Sequence, residues 1–137
     1  MENFLNKWFY FETLYFKSDF QEVNNLDFVH PDDREFVKNN LTNTIYRCIG
    51  IEDEYLIAKS RKYTLRVKPK VIKGHLPTPR FIWGDMVYEK AKPDVPAVIN
   101  DFFWHHKDQR YYYHITVNGK KKSKRYSENE LMPRCSH

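Results

Sequence analysis

Hydrophobic and polar positions alternate in short blocks, and the blocks after residue 43 are the clearest. Residues 44–51 are β-branched and apolar, and further runs cover 55–59 and 63–67. Such runs, rich in Ile, Val, Tyr and Thr, fit half-buried strands. Glu52-Asp53-Glu54 and Ser60-Arg61-Lys62 supply the breaks, so the pattern predicts a three-stranded meander over about 44–68. Just upstream, Val29-His30-Pro31-Asp32-Asp33-Arg34-Glu35 reads as a helix start. Proline is tolerated in a first turn, where its missing N–H would have no partner, and acids there complement the positive helix end. The helix is predicted over about 31–41, with Phe36, Val37 and Leu41 on its buried side and Asn39-Asn40 and Thr42-Asn43 ending it. The first 28 residues fit two periods. Phe4, Trp8, Phe11 and Tyr15 make a helical stripe, while aromatic density over 8–16 suits a strand. Strand or mixed structure is expected there, with the aromatics packed on the rest of the chain.

Pro69 and then Gly74, Pro77 and Pro79 interrupt the pattern, which places an internal boundary between 1–74 and 75–137. Beyond it, Trp83-Gly84-Asp85 turns into a short strand ending at Tyr88. Two long apolar runs follow, 95–104 and 110–117. Asn118-Gly119 is a hairpin signal, because both residues accept the positive φ of a tight turn. Residues 120–126 form the returning arm, Ser127 caps one helical turn over 127–131, and Pro133 ends it.

Parity raises two conflicts. In the run 95–104, regular alternation puts Asp101 on the face of Ile99. A bulge near Asn100-Asp101 turns Ile99, Phe102 and Trp104 inward together and bends the strand; the alternative is a strand covered on both faces. In the hairpin, a two-residue turn pairs Ile115 with Lys122 and Tyr113 with Lys124, putting lysines on an apolar face. Either the tip projects beyond the core or a bulge shifts the register.

Composition narrows the class. The 137 residues carry 41% hydrophobic, 30% charged and 17% aromatic side chains, an ordinary globular make-up apart from its aromatic share. No apolar run approaches the ~18 residues of a membrane span, and no secretory signal is read at the N-terminus. Cys48 and Cys135 lack metal-ligand spacing and are expected to be reduced thiols of a cytoplasmic protein. Net charge is +5. The first 35 residues are acidic and the remainder basic, densest at Lys120-Lys121-Lys122-Ser123-Lys124-Arg125.

The opening Gly84-Asp85-x-Val87, the bent second strand, the Asn118-Gly119 hairpin and the short turn before the last strand resemble an SH3-like barrel of the Tudor or KOW type, over about residues 80–134. The whole chain resembles an uncharacterised family of small bacterial proteins. The likeness rests on the His30-Pro31-Asp32-Asp33 helix start, the Arg66-Val67-Lys68-Pro69 strand end and a basic C-terminal half rich in Trp and His. That resemblance implies architecture and no activity. Phe28 to Val37 also resembles the helix start of PAS sensor domains, but too little chain precedes it.

The expected fold class is therefore α+β and β-rich: a short helix and a three-stranded meander packed on a C-terminal SH3-like small barrel. The candidate binding residues are Trp83, Trp104, His105, Tyr112, Lys120, Lys121, Lys122, Lys124 and Arg125. The basic run attracts phosphates, and Tyr111 to Tyr113 offer stacking faces to unpaired bases. The same lysines also suit an edge strand guarded against aggregation. Trp83, Trp104, Tyr88, Tyr112 and Tyr113 are the residue types of an aromatic cage, or simply of a small core. His105 and His106 are adjacent on a strand and point to opposite faces, so neither a metal site nor a cofactor is implied. The paired acids fall on turns and helix starts, the four glycines stand apart, and no nucleophile motif is present, so no catalytic residue is assigned. A non-catalytic binding module that uses the basic and aromatic face of the C-terminal barrel for a protein or anionic partner is expected. Single-stranded RNA or DNA binding is the alternative, and a small enzyme a further one. Pairing of an exposed strand edge leaves a dimer open.

Overall fold

The N-terminal aromatics enter a sheet. In the computed structural model, which describes residues 2–40 and 45–133, a 3-10 turn at Glu2–Phe4 leads into strand β1, Trp8–Phe11. A hairpin of β2 (Tyr15–Lys17) and β3 (Glu22–Asn24) follows, then 3-10 turns at Leu26–Phe28 and Pro31–Asp33. Helix α1 is Arg34–Asn39, shorter than the three turns expected. The expected helix end at Leu41 to Asn43 and the strand start at Thr44 lie outside the described residues. The meander is β4 (Ile45–Glu52), β5 (Tyr55–Lys59) and β6 (Thr64–Val67), and Asp53 takes the positive φ of the first turn. Strand β7 spans Ile72–Leu76.

These strands form an antiparallel sheet in the order β6-β5-β4-β1-β7. Strand β1 lies inside it, and Trp8 and Phe9, on opposite faces, are both buried. That explains the continuous aromatic run: a strand covered on both faces has no polar side to alternate. The core face gathers Phe9, Tyr46, Cys48, Leu56, Ala58, Leu65 and Val67 with Leu14, Val29 and Val37. Phe36 is a correction: it is 38% exposed and lies beside Tyr63, while Val37 alone of the pair is buried.

Strand β7 overturns the expected interruption at Gly74. The glycine is there because a side chain has no room: a Cβ would stand 2.5 Å from Cε1 of Tyr10, whose ring lies across it. Glycine in a strand marks such a close approach rather than a break.

The chain divides into compact units at Met1–Thr78 and Pro79–His137. The second unit contains β8 (Met86–Glu89), β9 (Lys92–His105), β10 (Arg110–Val117), β11 (Lys120–Lys121), β12 (Tyr126–Ser127) and β13 (Leu131–Pro133). A 3-10 turn at Glu128–Glu130 precedes β13. The antiparallel order is β11-β10-β9-β8-β13, with β12 on the same side of β10 as β11. The sheet pairing stays open between β11 and β13 and does not close into a barrel. Over the described residues the protein is thus β-rich, with one short α-helix and several antiparallel sheets. No helix among the described residues is long and apolar enough to cross a membrane.

Both parity conflicts resolve through irregularities. His114 pairs with Asp101 but Ile115 pairs with Ile99, so Asn100 is the extra residue of a bulge in β9. Its amide donates to Thr116 Oγ1 at 2.9 Å, and Asp101 Oδ1 accepts from the Phe102 N–H at 2.9 Å. Ile99 and Phe102 are consequently both buried. In the hairpin, Val117 pairs with Lys120 in the expected register, with positive φ at Asn118 and Gly119. The Lys122 N–H still reaches the Ile115 carbonyl, and then the arm bows outward. Tyr126, not Lys124, is the residue that pairs with Tyr113. The excursion keeps the lysines in solvent and puts a buried tyrosine on the core face.

Candidate functional site

The two faces of the β9–β10 pair have different chemistry. On the inner face, Phe102, Tyr111, Tyr113 and Ile115 are buried. The Tyr113 hydroxyl accepts from the N–H groups of Arg80 and Phe81 at 3.2 and 3.4 Å. Burial pushes the Tyr111 and Tyr113 hydroxyls above the ordinary tyrosine range.

The outer face carries Phe103 and His105 from β9 and Tyr112, His114 and Thr116 from β10, all half-buried. Phe103 lies opposite Tyr112 in the ladder. Ring centroids of Phe103 and Tyr112 are 5.8 Å apart at 34°, and those of Phe103 and His114 are 5.8 Å apart at 27°. The Arg125 guanidinium sits 4.3 Å from the centre of the Tyr112 ring, and His105 meets that ring edge-on at 5.4 Å. The Tyr112 hydroxyl donates to Asp108 Oδ2. That bond holds the Asp108 carboxyl below its usual range and raises the Tyr112 hydroxyl. At the far end of the face, Met86 and Val98 pair across β8 and β9 and are 42% and 40% exposed, an apolar continuation of the ring row.

The nine candidate residues do not form one surface. Trp83 packs on Phe102 at 4.5 Å and donates from Nε1 to Asp101 Oδ1, and Trp104 meets Tyr111 edge-on at 4.9 Å. Both tryptophans are therefore tied to the inner-face residues. His105, Tyr112 and Arg125 lie on the outer face, so Tyr112 and Tyr113 face opposite ways and the five-aromatic cage does not assemble. Lys120 and Lys121 sit at the hairpin tip, and Lys121 lies opposite the outer-face Thr116. Lys122 and Lys124 belong to the outward excursion. Lys124 is engaged by Glu130 at 3.0 Å and lies over the Tyr126 ring. Lys120, Lys121 and Lys122 are exposed and make no ion pair among the described residues. Phe103 and His114 were missed by the sequence reasoning. The alternation around Tyr112 could have found them once the bulge at Asn100 was counted.

Among the described residues no three His, Cys, Asp or Glu side chains gather as a metal site. Cys48 is buried in the first unit, donates to the Gly50 carbonyl, and has its thiol pushed up by burial. Cys135 lies outside the described residues.

The strongest polar cluster of the first unit has a different purpose. Asp33 accepts from the Arg66 backbone N–H at 2.9 Å, from Nε at 3.1 Å and from Nη2 at 3.2 Å. Arg66 also reaches Glu52 at 3.2 Å. The His30 N–H donates to the Arg66 carbonyl, and the Lys68 N–H to the Phe28 carbonyl. Strand β6 is an edge strand, and this segment satisfies its outward groups. The His30-Pro31-Asp32-Asp33 and Arg66-Val67-Lys68-Pro69 motifs thus meet each other as an edge cover.

Fold and surface together define a two-unit, β-rich protein with a basic, ring-bearing sheet face. Residues 14–132 match the family of unknown function DUF6960, and the chain belongs to that family. No curated protein and no solved structure matches the chain.

Proposed function

We propose that the protein is a non-catalytic binding module that takes an anionic partner on the outer face of β9–β10 and the adjoining hairpin. One observation carries this reading: three exposed lysines without an internal ion pair stand on the hairpin that extends the ring-bearing strand, with Lys121 opposite the outer-face Thr116. Unspent positive charge at a sheet face attracts anions, and amphipathic rings supply contact area. The strand order β11-β10-β9-β8-β13, the bulged β9 and the 3-10 turn before β13 support reading the second unit as an SH3-like small barrel. Small barrels of that kind present ligands to strand faces and hairpin tips. A cytoplasmic setting fits Cys48, a buried cysteine outside any disulfide.

The test is retention on immobilised heparin. The Lys120/Lys121/Lys122→Ala variant is expected to elute at clearly lower salt than the wild type. A Lys59/Lys62/Lys70→Ala variant changes the net charge equally in the first unit and is expected to elute near the wild type. Equal losses in the two variants would reduce the effect to net charge and overturn the assignment of the face.

A further inference from the structure

We infer that the anionic partner is a single-stranded nucleic acid, with bases stacked on the ring row and phosphates held by the hairpin. This rests on the reading of the outer face as an anion-binding surface and names its ligand class.

Two features separate this ligand from other anions. His114, Phe103 and Tyr112 form a row in which neighbouring rings lie within 34° of parallel, and the Arg125 guanidinium covers Tyr112. Arginine and aromatic planes are the stacking partners of unpaired bases. A base-free polyanion or an acidic peptide gains nothing from such a row. Secondly, apart from Arg125 over Tyr112, the cations stand beyond the rings: Lys120, Lys121 and Lys122 lie on the hairpin that continues from β10. A strand of nucleic acid presents that separation, with bases along one edge and phosphates along the other. Duplex DNA keeps its bases stacked inside and cannot use the rings, so it binds more weakly.

Three cations, Lys120, Lys121 and Lys122, remain for phosphates. With ~0.7 counterions released per contact on a single strand, affinity falls ~20-fold between about 50 and about 200 mM salt.

The experiment measures fluorescence anisotropy of labelled oligouridylate and oligothymidylate of about 12 nucleotides, within the reach of one small barrel. The comparators are the matching duplex, inorganic polyphosphate and polyglutamate. Wild type is expected to bind the single strands with the steep salt dependence above. Phe103→Leu and Tyr112→Leu are each expected to weaken oligonucleotide binding ~10-fold. Circular dichroism verifies that both variants fold, and His114→Ala provides a third probe that leaves the Tyr112–Asp108 bond in place. If ring variants bind oligonucleotide like wild type, or polyphosphate competes equally well, the inference falls and the anion-binding reading stands. Capture of polyglutamate but not oligonucleotide overturns it in favour of an acidic protein. If no anion binds at low salt, both readings fall together.

Discussion

Replacing Asp33 tests how the first unit holds its edge strand. The carboxylate accepts three hydrogen bonds from one residue, Arg66, including its backbone N–H. A hydrogen bond to a charged group contributes about 1.5–3 kcal/mol net when well sheltered. Here the Arg66 and Asp33 side chains are 27% and 19% exposed, so solvent screening moves the value toward the lower end. Asp33→Ala removes all three acceptor contacts and leaves the outward N–H of β6 without its partner. Arg66 keeps Glu52, which limits the loss. The expected cost is about 2–3 kcal/mol. Asp33→Asn keeps a neutral acceptor for the backbone N–H and loses the ionic part, for an expected cost of about 1 kcal/mol. Equilibrium urea unfolding followed by circular dichroism gives both values, provided the m-value is unchanged. A loss below about 0.5 kcal/mol for Asp33→Ala, the range of ordinary surface substitutions, would refute the edge-cover argument. So would equal losses for Ala and Asn, because the ordering is what the backbone bond predicts.

Other consequences are equally open to measurement. Gly74→Ala should cost about 1–3 kcal/mol by overpacking against Tyr10. A double-mutant cycle with Tyr10→Ala should recover most of it, and strict additivity would contradict the close approach. Tyr113→Phe removes the acceptor of two backbone N–H groups, one on the buried Phe81, and should lower the urea midpoint by an amount worth about 1–3 kcal/mol. On acidification, Asp33 should make the first unit pH-sensitive. Burial works against its charge, but the bonds from Arg66 prevail and hold its carboxyl below the ordinary value. Its contribution is therefore fully present above the ordinary carboxylate range and disappears as pH falls through its lowered folded-state value. The Asp33→Ala variant should show a flatter loss of stability on that acid side, and an unchanged profile would contradict the linkage.

Much of the architecture is legible where one face of a strand is wet. The meander shows in the sequence because β5 and β6 alternate and polar breaks separate the three strands. The bulge at Asn100 shows because no regular strand can bury Ile99 and Phe102 on one face. The basic hairpin shows because Asn118-Gly119 fixes its turn. Legibility fails where tertiary contacts replace alternation. Strand β1 is covered on both faces and carries no period. Strand β7 reads as an interruption because its glycine answers to the ring of Tyr10, a residue 64 positions earlier. The candidate surface was partly visible: Tyr112 and Arg125 come together, whereas Trp83 and Trp104 are drawn to the inner face. Chemistry alone could not sort the tryptophans from the tyrosine, because all three are amphipathic rings. The face each takes depends on the bulge and on the register of β10. The His30-Pro31-Asp32-Asp33 and Arg66-Val67-Lys68-Pro69 segments hold an edge strand and lie in the other unit from the candidate surface.

The central claim is that the outer face of β9–β10 and the hairpin at Lys120 to Lys122 are the working surface. Amide chemical-shift mapping during titration with a single-stranded oligonucleotide tests it most directly. The largest changes are predicted at Phe103, Tyr112, His114 and residues 120–125, with the amides of Asp33 and Arg66 unmoved. Changes centred on the first unit, or spread evenly over every basic residue, would contradict it.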